Sequence, residues 1–243
     1  QAIFDANALA GADTIEFDPA LTSGGPATIT LFHGELKITS SLTITGPGAD
    51  LLTIDAVGSD PFPDEFSDGT RVFEVNNNTG TLVNVTMSGL TLTGADSFAD
   101  GGAIRSLENL TLIESVVTGN QSGRGGGLYN GSGTMQIIRS TISANNNDGP
   151  QNGHRGSGIT NWTGTLIVTD STISDNGFTV CEVCGGLRGA AGIYNHRGSV
   201  TVTGSAITGN SGGGIYSDGL DAAADITITD STISDNVDGW FRG

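Results

Sequence analysis

Lysine is nearly missing from this 243-residue chain. Lys37 stands alone beside eight arginines against 26 acidic residues, for a formal charge of −17. Nucleic acid and anionic membrane surfaces are therefore not expected partners, since both would be repelled. No apolar run is long enough to cross a bilayer, so no membrane insertion is expected of this segment, and no signal peptide is recognisable. Aromatic residues make up only 6%. Helical periodicity is absent from the body of the chain, which excludes a helical bundle. The 39 glycines, with abundant Thr, Ser, Asn and Asp, would read as disorder if no pattern organised them.

A pattern does. Five lines recur: LTLIESVVTGN from Leu110, MQIIRSTISAN from Met135, LIVTDSTISDN from Leu166, VTVTGSAITGN from Val200 and ITITDSTISDN from Ile226. Their spacings of 25, 31, 34 and 26 residues are too short for domains, and such a unit cannot bury its apolar face alone, so copies must stack. Within each line the chemistry alternates with period two, as in a strand. Leu110, Met135, Leu166, Val200 and Ile226 form one inward column, and Val117, Ile142, Ile173, Ile207 and Ile233 another. Ser115, Ser140, Ser171, Ser205 and Ser231 mark a bend where a hydroxyl can bond to backbone. Asn120, Asn145, Asn176, Asn210 and Asn236 close each line and suit an amide ladder along the stack. Glu114, Arg139, Asp170, Gly204 and Asp230 share a mixed column that alternation turns outward, which reads as a solvated face rather than a catalytic dyad.

A shorter line follows each Asn: GAIRS, GGLYN, SGITN, AGIYN and GGIYS, with Ile104, Leu128, Ile159, Ile193 and Ile215 inward. The glycine before each is expected at positive φ, leaving a tight turn. The pattern predicts an all-β chain, a parallel β-helix (solenoid) of seven or eight coils, roughly 35–40 Å long. A single domain is expected over 1–243. Residues 1–18 would form a capping helix, from Ala2 to about Leu9, and a first strand near Ile15 to Phe17. Residues 19–84 would form irregular coils and 85–243 regular ones. The helix would cover the open apolar end. With no matching cap after Gly243, the segment is expected to belong to a longer polypeptide.

These columns resemble right-handed parallel β-helix proteins of bacterial surfaces. The opening is similar to that of large secreted proteins whose solenoid begins LREAI…AN…G.DTI.F, through Gln1–Ala2–Ile3, Ala6–Asn7, Gly11, Asp13–Thr14–Ile15 and Phe17. The repeats also resemble those of chlamydial polymorphic outer-membrane proteins, with Ile or Val replacing their Phe, as in Ile142–Ser143–Ala144–Asn145. The resemblance implies an extracellular or cell-surface place and adhesion or envelope structure more often than catalysis, since the scaffold is shared by members of varied role.

Candidate functional residues lie outside the columns. Arg105, Tyr129, Thr160, Tyr194 and Tyr216 follow the inward Ile or Leu and are expected to face out as a strip, with Trp162 two residues past Thr160. Exposed rings at stack spacing suit a glycan or a neighbouring surface protein, and Tyr129, Trp162, Tyr194 and Tyr216, with Arg124 from a nearby loop, are the expected ligand-binding residues. Extra length falls in loops carrying Arg124, His154, Arg155, Glu182 and Arg188, the weak catalytic candidates if the protein instead acts on a polysaccharide. Lys37 offers no good base for such an enzyme. Cys181 and Cys184 allow a redox motif, half a zinc site or a small disulfide ring; the disulfide is the plainest of these, since no thioredoxin-like context surrounds them. No cofactor is required. Calcium suits turns crowded with Asp60, Asp64, Glu65, Asp68 and Asn145 to Asp148. An uncapped rod could also self-associate into fibres.

Overall fold

The computed structural model describes residues 1–61, 68–147, 156–177, 192–218 and 225–237. His154, Arg155, Glu182, Arg188, Cys181 and Cys184 lie outside these residues, as do Asp64, Glu65 and Asp148. The chain is a parallel β-helix opened by one short helix, α1 (Ala2–Ala8). The first coil contributes β1 (Asp13–Glu16), β2 (Ala27–Thr30) and β3 (Leu36–Ile38), and each founds a parallel sheet. The first sheet has eight strands from β1 to Ile226–Thr229, the second eight from β2 to Thr232–Ser234, and the third seven from β3 to Ile215–Ser217. A fourth, short sheet joins Asp96–Asp100, Gln121–Arg124 and Asn146–Asn147.

Like residues pair with like. Leu110 meets Met135, then Leu166, Val200 and Ile226 in the first sheet. Val117, Ile142, Ile173, Ile207 and Ile233 are successive partners in the second, and Ile104, Leu128, Ile159, Ile193 and Ile215 in the third. Most are fully buried and belong to one continuous core. Each such side chain contributes about 1.5–3 kcal/mol by leaving water. The same registers reach back through Leu42–Thr45, Leu52–Asp55 and Phe73–Val75 to the first coil. Residues whose columns look loose in sequence thus wind with the rest.

What turns the chain between sheets is backbone handedness. Glu114, Arg139, Asp170 and Asp230 have φ of 46–50°, and Gly89 and Gly204 share the position at 60–61°. The mixed column is therefore a left-handed corner, tolerated by non-glycine residues at about 1–2 kcal/mol each. A second corner column holds Gly94, Gly119, Ala144, Asp175, Gly209 and Asp235, at φ of 53–69°. The ladders start directly after these corners. Ser115, Ser140, Ser171 and Ser205 each donate a backbone N–H to the serine hydroxyl of the next coil at 3.0–3.1 Å. The asparagines do the same, and each Nδ2 also donates to the next Oδ1, from Asn120 through to Asn236, at 2.8–3.0 Å. A buried corner cannot reach water, and these side chains supply the missing partners.

The glycine before each inward Ile or Leu has a different cause from the one expected. Gly127, Gly158, Gly192 and Gly214 are not at positive φ. They face the asparagine ladder: a Cβ on Gly158 would meet the Gly192 carbonyl oxygen at 2.6 Å and Asn176 Nδ2 at 2.9 Å. Ladder and glycine column are complementary surfaces.

The two ends differ from the middle. At the first coil α1 turns only Ala6 and Ile3 to the core, and Ile15, Ile29 and Leu36 stay partly open. At the other end Ile226, Ile228, Ile233 and Val237 are 39–56% exposed, whereas Val200, Val202 and Ile207 beneath them are buried. Among the described residues no helix is long and apolar enough to cross a membrane.

Candidate functional site

The outer face of the third sheet carries the chemistry. Its outward register runs Lys37, Glu74, Arg105, Tyr129, Thr160, Tyr194, Tyr216, one residue per coil. The first three members are charged and the rest mostly aromatic.

At the charged end, Arg71 Nη1 donates to Glu35 Oε2 at 2.5 Å and Arg105 Nη1 to Glu74 Oε1 at 2.7 Å, with Lys37 Nζ 3.2 Å from Glu35. Burial pushes the Glu74 carboxyl up, but a hydrogen bond with Glu35 and the charges of Arg71, Arg105 and Lys37 outweigh it and leave it below its ordinary value. The network is nearly self-neutralised. A polar cleft of about 350 Å³ beside it is lined by His33, Glu35, Lys37, Thr70, Arg71 and Ser97.

The aromatic end gathers the residues that the sequence offers as binders. Tyr129 and Tyr194 lie outside the apolar core, as alternation requires, yet both are buried rather than exposed. Their neighbours cover them. The Arg124 guanidinium, held by Asp100 across the fourth sheet at 2.6 and 3.2 Å, lies 5.8 Å from the Tyr129 ring centre and 4.8 Å from that of Trp162. Cation–π attraction suits both contacts. Burial, and then the Asp100 charge, push the Tyr129 hydroxyl up to about 12, so it stays protonated. Tyr194 stacks on Tyr216 at 5.7 Å and donates its hydroxyl to Asp218 Oδ2.

A second column runs beside the tyrosines. Asn130, Asn161, Asn195 and Ser217 are register partners, so the residues following them, Gly131, Trp162, His196 and Asp218, are equivalent positions on four coils. Below them the three asparagines form another amide ladder, Asn130 to Asn161 to Asn195, at 2.8 Å per step. That ladder fixes the column above it. The Trp162 and His196 rings stack at 4.0 Å, and His196 Nδ1 lies 2.8 Å from Asp218 Oδ1. Arg124, Tyr129, Trp162, Tyr194 and Tyr216 are thereby joined into one cluster, in which Arg124, Trp162, His196 and Tyr216 keep partial exposure and Tyr129 and Tyr194 are buried beneath them. His196, Asp218 and Asp100 complete it. Their identity shows only when adjacent coils are laid over each other.

Of the acidic turn residues, Asp60 and Asp68 lie with Asp96, their carboxylate oxygens within 4.8 Å of one another. Asp96 comes from the fourth sheet, far from the others in sequence. Compared with protein-family models, curated proteins and solved structures, the chain matches none.

Proposed function

We propose that this chain is a non-enzymatic β-helix rod of an extracellular or cell-surface protein, serving as an adhesin passenger, stalk or fibre subunit. On this reading it recognises a glycan on the outer face of its third sheet. One observation carries this: the contiguous, partly exposed row from Arg124 over Trp162 and His196 to Asp218, with Tyr194 buried beneath it and stacked on the partly exposed Tyr216. Ring faces and edges suit the C–H faces of a sugar, while the Arg124 guanidinium, the Asp100 and Asp218 carboxylates and the His196 ring supply hydrogen-bonding groups for hydroxyls. Rings preset by a rigid ladder lose little freedom on binding, which favours affinity. The charge of −17 would repel a polyanion, so a neutral glycan is the expected class.

On a glycan array and in follow-up calorimetry, the protein is expected to bind a neutral oligosaccharide. Trp162→Ala should weaken that binding tenfold or more, about 1.4 kcal/mol. Unchanged affinity in Trp162→Ala would remove this surface from the reading. One observation favours a rival, a polysaccharide-active enzyme: Asp218 orients His196 as a carboxylate orients a catalytic base. Turnover of a polysaccharide that is lost in His196→Ala would replace the rod with the enzyme.

A further inference from the structure

The outer face of the second sheet is the most regular surface of the rod. Thr141 and Ser143, Thr172 and Ser174, and Thr232 and Ser234 are outward pairs on its strands, at identical register. Two further strands of the same register carry Val116 with Thr118 and Ala206 with Thr208. Pairing runs through all eight strands of this sheet without a bulge. None of these outward positions is charged, in a chain of net charge −17. The charges of the region sit in the flanking corners, at Asp170 and Asp175 among others. Asp55, and a Thr91 hydroxyl tied to the Ala49 carbonyl, bound the face on the N-terminal side. The ladder serines bond their hydroxyls to backbone carbonyls, as Ser140 does to Ile138 and Ser171 to Thr169. Among the described residues, the hydroxyls of Thr118, Thr141, Ser143, Thr172, Ser174 and Thr208 make no such bond, and all six residues are partly exposed. Water is their only partner.

We propose that this face binds ice, with the crystal surface as its ligand. Waters bonded tetrahedrally at about 2.8 Å have second neighbours about 4.6 Å apart, and hexagonal ice repeats after about 7.3 Å in the perpendicular direction. The face repeats after about 4.8 Å from coil to coil and about 6.6 Å between alternate residues of a strand. Along the axis, the mismatch accumulated over five strands stays under about 1 Å, so every strand lies near a lattice row. Across it, side chains lean along the strand direction and take up a shortfall of under about 1 Å. Threonine has the chemistry for this contact. Its hydroxyl both donates and accepts, its methyl restricts adjacent water without bonding it, and its branched Cβ limits rotation. A charged side chain would hold a hydration shell of its own, and none stands on the face. The in-register sheet keeps the hydroxyls at fixed separations, which a crystal can match and liquid water cannot. This site is separate from the third-sheet surface and does not rest on the glycan reading.

Slow freezing of a dilute solution of the whole chain tests the assignment. The chain should enter the ice fraction, from which an ordinary solute is excluded, and should shape the growing crystals into facets. Thr172→Lys sets an ammonium in the middle of the face and should abolish both effects, with thermal melting unchanged. Thr118→Lys, two coils away, should do the same, and keeps the test open if one variant fails to fold. Thr201→Lys places the same charge on the outer face of the first sheet and should leave both effects intact. Exclusion of the unaltered chain from ice overturns the proposal. So does incorporation that survives both Thr172→Lys and Thr118→Lys, or that is lost only in Thr201→Lys, because the contact then lies elsewhere. Self-association that Thr172→Lys removes while ice growth stays unaffected would give the face to a second copy of the chain, and also overturns it.

Discussion

Replacing Asn176 by alanine is expected to destabilise the rod by roughly 3–5 kcal/mol, since each buried polar group left without a partner costs about 1–3 kcal/mol. The Asn176 side chain holds four bonds at once. It accepts from the Asn145 backbone N–H and from Asn145 Nδ2, both at 3.0 Å, and donates to the Ile142 carbonyl at 2.9 Å and Asn210 Oδ1 at 3.0 Å. The residue is fully buried, so water cannot replace any of them. Asn236 makes a comparable set, to Asn210, Ile207 and Ser234, but it is only half-buried at the exposed end. Water can take its place there, and Asn236→Ala should cost less than half as much. Urea unfolding of both variants, at unchanged m-value, measures the difference. Equal losses at the two positions would mean that the ladder does not act through buried, water-excluded bonds.

Gly158→Ala should be nearly as damaging, by roughly 2–3 kcal/mol, the upper part of the range for overpacked cores. Its backbone is not left-handed, so the effect isolates sterics from conformational strain. The added methyl would press on the Gly192 carbonyl and on the Asn176 amide, neither of which can retreat without breaking a coil-to-coil bond. Gly177 is the control. A Cβ there meets only Ser211 atoms, at 3.5 Å, which is ordinary contact. Gly177→Ala should be neutral or stabilising by about 0.4–1 kcal/mol through the unfolded chain. Thermal melts of the two alanine variants separate these outcomes; a tolerated Gly158→Ala would show that ladder and glycine column are not in contact.

The sequence displays the columns that build this fold because stacking demands nearly identical residues at identical places. Ile142, Ile173 and Ile207 are legible as neighbours for that reason. The corners were less legible. Glu114, Arg139, Asp170 and Gly204 share no side-chain chemistry, only a positive φ, and alternation alone turns them into a solvated face. The ladder of Asn130, Asn161 and Asn195 is short, and serine occupies its column at Ser106 and Ser217, so it leaves a weak trace. Tyr129 and Tyr194 show what period two does and does not say. It sets the side of the sheet on which a residue lies, but not what comes down over it. Here the cover is Arg124 from another sheet and Asp218 from the next coil. Variable spacing between repeats hides such neighbours until the register is known.

Amide-to-amide NOEs in the second sheet test like-on-like stacking most directly. With residues about 4.8 Å apart across parallel strands, cross-peaks should link Ile142 to Ile173 and Ile173 to Ile207. Cross-peaks joining Ile173 to residues other than these equivalents, or none between coils, would contradict the fold and every surface built on it.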